Sequence, residues 1–315
     1  MSPARPVDVA VGVVVRDDGA VLLGQRPTGK PYAGWWEFPG GKLEAGESVH
    51  AALVRELDEE LGLRVRASCP WVVRRFVYPH ATVLLHFRRV FDFEGAPESR
   101  EGQAFAWLRP GAIDVAPLLP ATVPVIAWLG LPAECLRSCA AAIGPEAFVM
   151  AIGARLRAGW RGLLLLDEPG LPPDRFEALF YRVVEVCRRF PVRLVVGSRH
   201  RASYCRAAGG VLLAAEDLSR FATRPPLPLV MACARDQADV ERASGLGVDC
   251  VLVEADPSPE ARGVPDAPSR ADRFGAIVSA TGVPAYADAS WQLSAALALA
   301  SGAHGVVAPH ALPEN

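Results

Sequence analysis

Between positions 41 and 62 the residue types and their spacing could do chemistry. Gly41 is followed after five residues by Glu47, after seven more by Arg55 and Glu56, and then by Glu59-Glu60 just before Gly62. On a helix, Glu56, Glu59 and Glu60 stand at i, i+3 and i+4 and share one face. Like charges at these spacings repel by roughly 0.2–0.5 kcal/mol per pair, which a solvated acidic face tolerates. A hard cation such as Mg²⁺ turns the same repulsion into a site for phosphate-bound metal, because it takes oxygen ligands and keeps several waters. Glu56, Glu59 and Glu60 are therefore the candidate catalytic and metal-ligating residues.

The neighbouring residues have supporting parts to play. Arg55 is offset by about 100° from Glu56 around a helix, so its better assignment is an ion pair with Glu47 that pins the preceding loop. Gly40-Gly41 lets backbone approach a metal closely, with the Gly40 carbonyl as a candidate ligand and Gly41 as conformational support. Ser48 can cap a helix whose apolar positions Val49, Ala52, Leu53, Leu57 and Leu61 recur at helical spacing, and Gly62 stops it. Before the helix, Val9 to Val15 and Ala20 to Leu23 read as the two strands of a hairpin turning at Asp17-Asp18-Gly19. After it, Trp71 to Val77 and Thr82 to Phe93 read as strands joined through Tyr78-Pro79-His80. His80 could reach a phosphate or simply be solvated, and Trp35 and Trp36 could stack a base or pack in the core.

Four prolines (117, 120, 124 and 132) surround a short apolar helix, Val123 to Leu129, and the pattern changes beyond it. A boundary follows, giving domains 1–131 and 132–315. In the second, short apolar runs alternate with helical segments: Cys135-Cys139, Gly162-Leu166, Val192-Val196, Gly210-Ala214, Pro228-Ala232, Asp249-Val253, Pro284-Ala287 and Gly305-Ala308. That alternation predicts a parallel (β/α)8 barrel behind a mixed α+β domain.

The bulk properties exclude several classes. The 315 residues suffice for two ordinary cores, and 51% hydrophobic with 22% charged residues describes a soluble globular chain. No apolar run is long enough to span a membrane, and the N-terminal stretch lacks a secretory pattern, so a cytoplasmic location is expected. The seven cysteines form no Cys-x-x-Cys pair and read as reduced core thiols. A net charge of −2 offers no broad basic surface for polymeric nucleic acid, so a bound nucleotide should be a small one. Only Lys30 and Lys42 are lysines; the remaining basic residues are arginines.

The segment Gly41 to Leu63 matches the whole Nudix box, a match expected by chance on the order of 10⁻⁹ per starting position. Residues 7 to 130 resemble the MutT-type 8-oxo-dGTP diphosphatases in the AVGVVV strand, Gln25-Arg26, Trp36-Glu37-Phe38-Pro39-Gly40-Gly41, Glu101-Gly102-Gln103 with Trp107, and Pro120 to Ile126. The resemblance implies an α/β/α Nudix sandwich that uses Mg²⁺, with Mn²⁺ as the alternative, to release pyrophosphate from a purine nucleoside triphosphate, 8-oxo-dGTP foremost. It implies that Arg26, Phe38, Lys42 and Thr122 contact substrate, and that Gly40, Glu56, Glu59 and Glu60 hold metal, with Glu56 a ligand or a base. The chain departs from the pattern at Ala106, where a further metal-binding Glu is expected and for which Glu101 is the candidate substitute. It departs again at Thr122, which stands for a purine-reading Asn and lacks the paired donor and acceptor of an amide. A family His near Pro31 is also absent.

The second domain is similar in its order of elements to the thiamine-phosphate-synthase barrel. The lack of lysine after position 42 removes a diphosphate-gripping Lys and any Schiff-base chemistry, so synthase activity is not expected. Asp167, Glu168, Arg199, His200, Asp236 and Asp288 fall at strand ends, where barrels place their sites. Two other readings follow from this fusion: hydrolysis of thiamine diphosphate or another cofactor pyrophosphate, and a regulatory protein whose barrel senses a ligand.

Overall fold

β1 (Val7–Val14) takes partners along both its edges, antiparallel β4 (Gly40–Lys42) and parallel β6 (Ala81–Glu94), and β6 pairs antiparallel with β5 (Arg64–Tyr78). A second sheet runs β3 (Trp36–Glu37), β2 (Val21–Gln25), β7 (Phe105–Leu108). The computed structural model describes residues 5–79, 81–256, 268–279 and 281–308. By its contacts the chain divides into two compact units. One is Met1–Leu131 with Ser279–Gly282 and Ala300–Gly302; the other is Pro132–Val278 with Val283–Leu299 and Ala303–Asn315.

The hairpin expected from residues 9–23 is corrected. The chain does reverse, with Gly19 N–H donating to the Arg16 carbonyl at 2.8 Å, but β1 and β2 enter different sheets and meet only at a Val15–Val21 bridge. With β4 and β6 already on its two edges, β1 has no row of backbone groups left for β2. β5 also begins earlier than expected. Its first half contains Pro70 and three register shifts, features an edge strand accommodates and a central one does not. His80 lies outside the described residues.

Helix α1 (Val49–Leu61) buries Ala52, Leu53, Leu57 and Leu61 against Ala10, Val14, Leu22 and Val90. Gly12 of β1 has no room for more, since a Cβ there would come within 3.0 Å of a Leu53 methyl. Val11 and Val13 are buried too, so β1 is covered on both faces. Helix α2 (Thr122–Leu129) packs on β5, where Trp128 meets Trp71 edge to face at 6.3 Å and lies under the Arg74 guanidinium. The result is the expected α/β/α sandwich.

The second unit is a closed, all-parallel barrel of eight strands. They are β8 (Glu134–Arg137), β9 (Leu163–Leu166), β10 (Arg193–Gly197), β11 (Gly210–Leu213), β12 (Leu229–Ala234), β13 (Cys250–Val253), β14 (Ala285–Ala287) and β15 (Gly305–Ala308). All eight fall within two residues of the expected runs. β8 ends at Arg137, two residues early, because Cys139 already turns into helix α3 (Ala140–Ile143). Between β11 and β12 the structure has a 3₁₀ segment, Ala215–Arg220, in place of a crossover α-helix. All seven cysteines are free, and all but Cys69 are buried. Among the described residues no helix is long and apolar enough to cross a membrane.

Candidate active site

Helix α1 is fixed at both ends by its own sequence. The Ser48 hydroxyl accepts from the Ala51 N–H at 3.1 Å, and Gly62 closes the helix at φ 67°, where a side chain would be strained. Burying the leucine stripe turns Arg55, Glu56, Glu59 and Glu60 outward. Arg55 forks onto Glu47 with Nε at 3.1 Å and Nη2 at 3.0 Å, and Glu47 also accepts from the Glu44 N–H. These bonds tie the loop before the helix to the helix itself, and they hold the Glu47 carboxyl below its ordinary range. The same guanidinium reaches the Lys42 carbonyl at 3.1 Å, Glu56 at 2.8 Å and Glu59 at 3.2 Å. Arg55 thus touches two of the three helix glutamates as well as Glu47, which the 100° offset alone did not suggest.

The glutamates differ sharply in environment. Glu59 is 60% exposed, whereas Glu56 is 17% exposed and lies over Gly41. A Cβ built on Gly41 would fall inside contact distance of the Glu56 carboxylate, which explains glycine at that position without a positive φ. The Glu60 carboxyl is pushed up to about 7, first by burial and then by the charges of Glu56 and Glu101, with Lys30 opposing. Among the described residues no three acidic, His or Cys side chains converge at metal-holding distances. The side chains share a face, as expected, but Arg55 draws Glu56 and Glu59 toward itself. The donors nevertheless fit a hard divalent cation: all are oxygens, and Glu60 with Glu56 forms a crowded carboxylate pair that a cation would relieve.

Glu101 reaches this cluster because its loop is fastened to the end of α1. Gln103 donates from its side-chain amide to the Glu60 carbonyl at 2.9 Å and accepts from the Glu101 N–H at 3.0 Å, while the Arg100 N–H donates to the same Glu60 carbonyl. Lys30 pairs with Glu101 at 3.1 Å. Ala106, in contrast, is a β7 residue paired with Leu23 and contributes no carboxylate. The contacts of Gln103, a residue of the resembling Glu101-Gly102-Gln103 segment, and of Lys30 had no local signal in the sequence, since both are long-range.

On the nucleoside-facing candidates the structure is specific. Arg26 donates through Nε to the Pro31 carbonyl at 2.7 Å and pairs with Glu37, whose carboxyl is raised chiefly by burial. Phe38 and Thr122 are each only 3% exposed, and Lys42 is exposed at the end of β4. An aromatic cluster joins Trp35, Tyr32, Tyr78 and Phe76 through ring pairs 4.5–5.6 Å apart. The charge of Glu37 adds to the burial that lifts the Tyr78 hydroxyl to about 12. Phe76 and Tyr78 alternate along β5, a period-2 signal that could have marked this cluster in advance.

In metal-free protein, Glu60 makes stability depend on pH. Its folded value lies above the ordinary 4.5, so its contribution is fully present below about pH 4.5 and lost as pH rises through about 7. At 1.4 kcal/mol per pH unit the loss is on the order of 3 kcal/mol. Thermal melts in chelator should show Tm falling from pH 5 to pH 8, and Glu60→Gln should flatten that fall. Equal slopes for the two proteins would contradict the assigned environment.

Residues 6–129 match the NUDIX domain. The chain is 39% identical over 122 residues to the CTP pyrophosphohydrolase of Escherichia coli K12, covering 37% of this chain and 86% of that protein. It is 36% identical over 120 residues to the 8-oxo-dGTP diphosphatase of Haemophilus influenzae, covering 38% and 88%, and 32% identical over 125 residues to that of Escherichia coli K12, covering 40% and 97%. The chain belongs to the Nudix family. It is a hydrolase acting on pyrophosphate bonds, and hydrolases of this family generally use divalent metal cations.

Proposed function

We propose that residues 1–131 form a Mg²⁺-dependent pyrophosphohydrolase that converts an oxidised purine nucleoside triphosphate, 8-oxo-dGTP foremost, to the monophosphate and pyrophosphate. The observation that carries this reading is the packing of Glu56 on Gly41 beside a half-buried Glu60, within a chain similar to two 8-oxo-dGTP diphosphatases. Glu56, Glu59, Glu60 and the Gly40 carbonyl would hold the cation, with Glu101 completing the set in place of the carboxylate missing at Ala106. A divalent cation bound there supplies charge neutralisation of the phosphate oxygens and a lowered pKa for water.

The protein's own groups then position and move a proton. Water attacks the β-phosphorus, Glu56 takes its proton, and the bond from the β-phosphorus to the oxygen bridging the α-phosphorus breaks with its electron pair leaving on the monophosphate. Arg55 and Glu47 are positioning residues in this scheme, and Gly41 provides the space. Arg26, Phe38, Lys42 and Thr122 are assigned to the substrate, with the Glu37 partnership orienting Arg26. CTP is the second substrate reading, favoured by the similarity to a CTP pyrophosphohydrolase and by Thr122, which cannot make an amide's paired hydrogen bonds. The barrel is assigned no synthase activity.

Turnover in ¹⁸O-labelled water tests the scheme. The label is expected in pyrophosphate, and its appearance in the nucleoside monophosphate would rule out attack at the β-phosphorus.

A further inference from the structure

The mouth of the barrel, at the C-terminal ends of its strands, holds a cavity of about 180 Å³ whose charges are segregated. Arg137, Asp167 and Glu254 lie deepest, with Asp288 behind Arg137; their side chains are 10–27% exposed. Arg199, Glu216 and Arg235 form the rim at 41–50% exposed. Arg137 binds Glu254 at 2.8 Å and approaches Asp288 at 3.6 Å, and Glu254 also lies 3.9 Å from Arg235 Nε, so among the described residues Asp167 is the floor carboxylate with no arginine partner. At the rim two guanidinium groups share Glu216.

Asp167 is the odd member. Its Oδ1 is buried and accepts no hydrogen bond. His200 Nε2 stands 3.4 Å away, yet that nitrogen accepts from the Glu168 N–H at 3.2 Å and so presents a lone pair, not a proton. The ring is stacked on Phe176 with centroids 3.5 Å apart. Gly197 beneath it is shaped for this carboxylate, since a Cβ there would overlap Asp167 Oδ1. A buried carboxylate oxygen with no donor is costly, and the floor around it carries an excess of negative charge. Arg199 and Arg235 each direct one terminal nitrogen at Glu216, which leaves each guanidinium further N–H groups to donate.

We propose that this cavity binds a small zwitterion amine-first, its protonated nitrogen donating to the Asp167 carboxylate and its phosphate or carboxylate held by Arg199 and Arg235. The volume equals roughly six waters at about 30 Å³ each, the room for a molecule of on the order of six to ten non-hydrogen atoms. Neither end alone meets both halves of the lining. The other polar strand-end residues have structural duties: Glu168 accepts from the Ala140 and Ala141 N–H groups at 2.6 and 3.0 Å, and Asp236 caps a helix by accepting from the Asp239 N–H. This site is independent of the nucleotide chemistry assigned to the first unit.

Calorimetric titration of the full chain in chelator, with phosphoethanolamine and 4-aminobutyrate as probes and ethanolamine and inorganic phosphate as single-ended controls, tests the proposal. At least one zwitterion should saturate at or below about 10 mM and bind at least about tenfold tighter than either control. Asp167→Asn, which keeps the shape, should weaken it by about tenfold or more. Arg235→Ala, at the exposed rim, should weaken the zwitterion while leaving ethanolamine unchanged. Absence of saturation by both zwitterions, binding no tighter than inorganic phosphate, or undiminished affinity in Asp167→Asn would each overturn it.

Discussion

Replacing Glu60 by Gln should lower kcat/KM for pyrophosphate release by roughly 10²- to 10⁴-fold, the range that several kcal/mol of lost metal-assisted stabilisation implies. The same change should stabilise the metal-free protein at pH 8. The two effects have one cause. Burial and the neighbouring charges of Glu56 and Glu101 make an ionised Glu60 unfavourable in the empty fold, and a divalent cation is the partner that makes it favourable. Gln keeps the shape, removes the charge and cannot reproduce the ligand. Function and stability should therefore move in opposite directions, as they do where a site holds an unfavourable group for its chemistry. Turnover and melting are measured on the same preparations. An active variant, or an inactive one that melts earlier at pH 8, would contradict the role given to Glu60.

Gly41→Ala should lower kcat by about 10²-fold or more while leaving the fold intact. The backbone there has no positive φ, so alanine is conformationally acceptable. What it meets is the Glu56 carboxylate, which has to swing away and give up its 2.8 Å bond to Arg55. A displaced carboxylate no longer sits beside Glu60. Gly111→Ala is the matched control, because a Cβ there meets nothing within 4 Å. Circular dichroism establishes folding and pyrophosphate release establishes rate. Unchanged kcat in a folded Gly41→Ala protein would show that the position of Glu56 in this structure is not the one that turns over substrate.

Much of this site was legible because it is local. The Ser48 cap, the leucine spacing and Gly62 define α1 within fifteen residues of sequence, and the three glutamates follow from helical geometry. Arg55 was half legible: its pairing with Glu47 follows from the motif, but a long guanidinium also wraps onto Glu56 and Glu59, which a projection of Cα positions does not show. Glu101 could be named but not placed, since its position depends on Gln103 reaching the Glu60 carbonyl 43 residues away in sequence.

The β1–β2 hairpin failed for a related reason. The turn signal at Asp17-Asp18-Gly19 describes a reversal of the chain, whereas pairing was decided by β4 and β6, both distant in sequence.

In the barrel the strands were readable as buried apolar runs, and closure followed from their number. The mouth was harder. Extending the first barrel strand to Cys139 put Arg137 inside it, so the guanidinium that organises the cavity floor was passed over, while Glu168 and Asp236, which bond to helix N-terminal N–H groups, were named beside Asp167, Arg199, His200 and Asp288. Strand ends are where one residue of error changes a side chain from core to mouth.

The most direct test of the account compares kcat/KM for pyrophosphate release from 8-oxo-dGTP, dGTP, CTP and the other common nucleotides, and for phosphate release from thiamine diphosphate, with Mg²⁺ and with chelator. The account predicts metal-dependent turnover with 8-oxo-dGTP first. Preference for CTP would keep the reaction and reassign the base pocket. Preference for thiamine diphosphate, or turnover that persists in chelator, would contradict it.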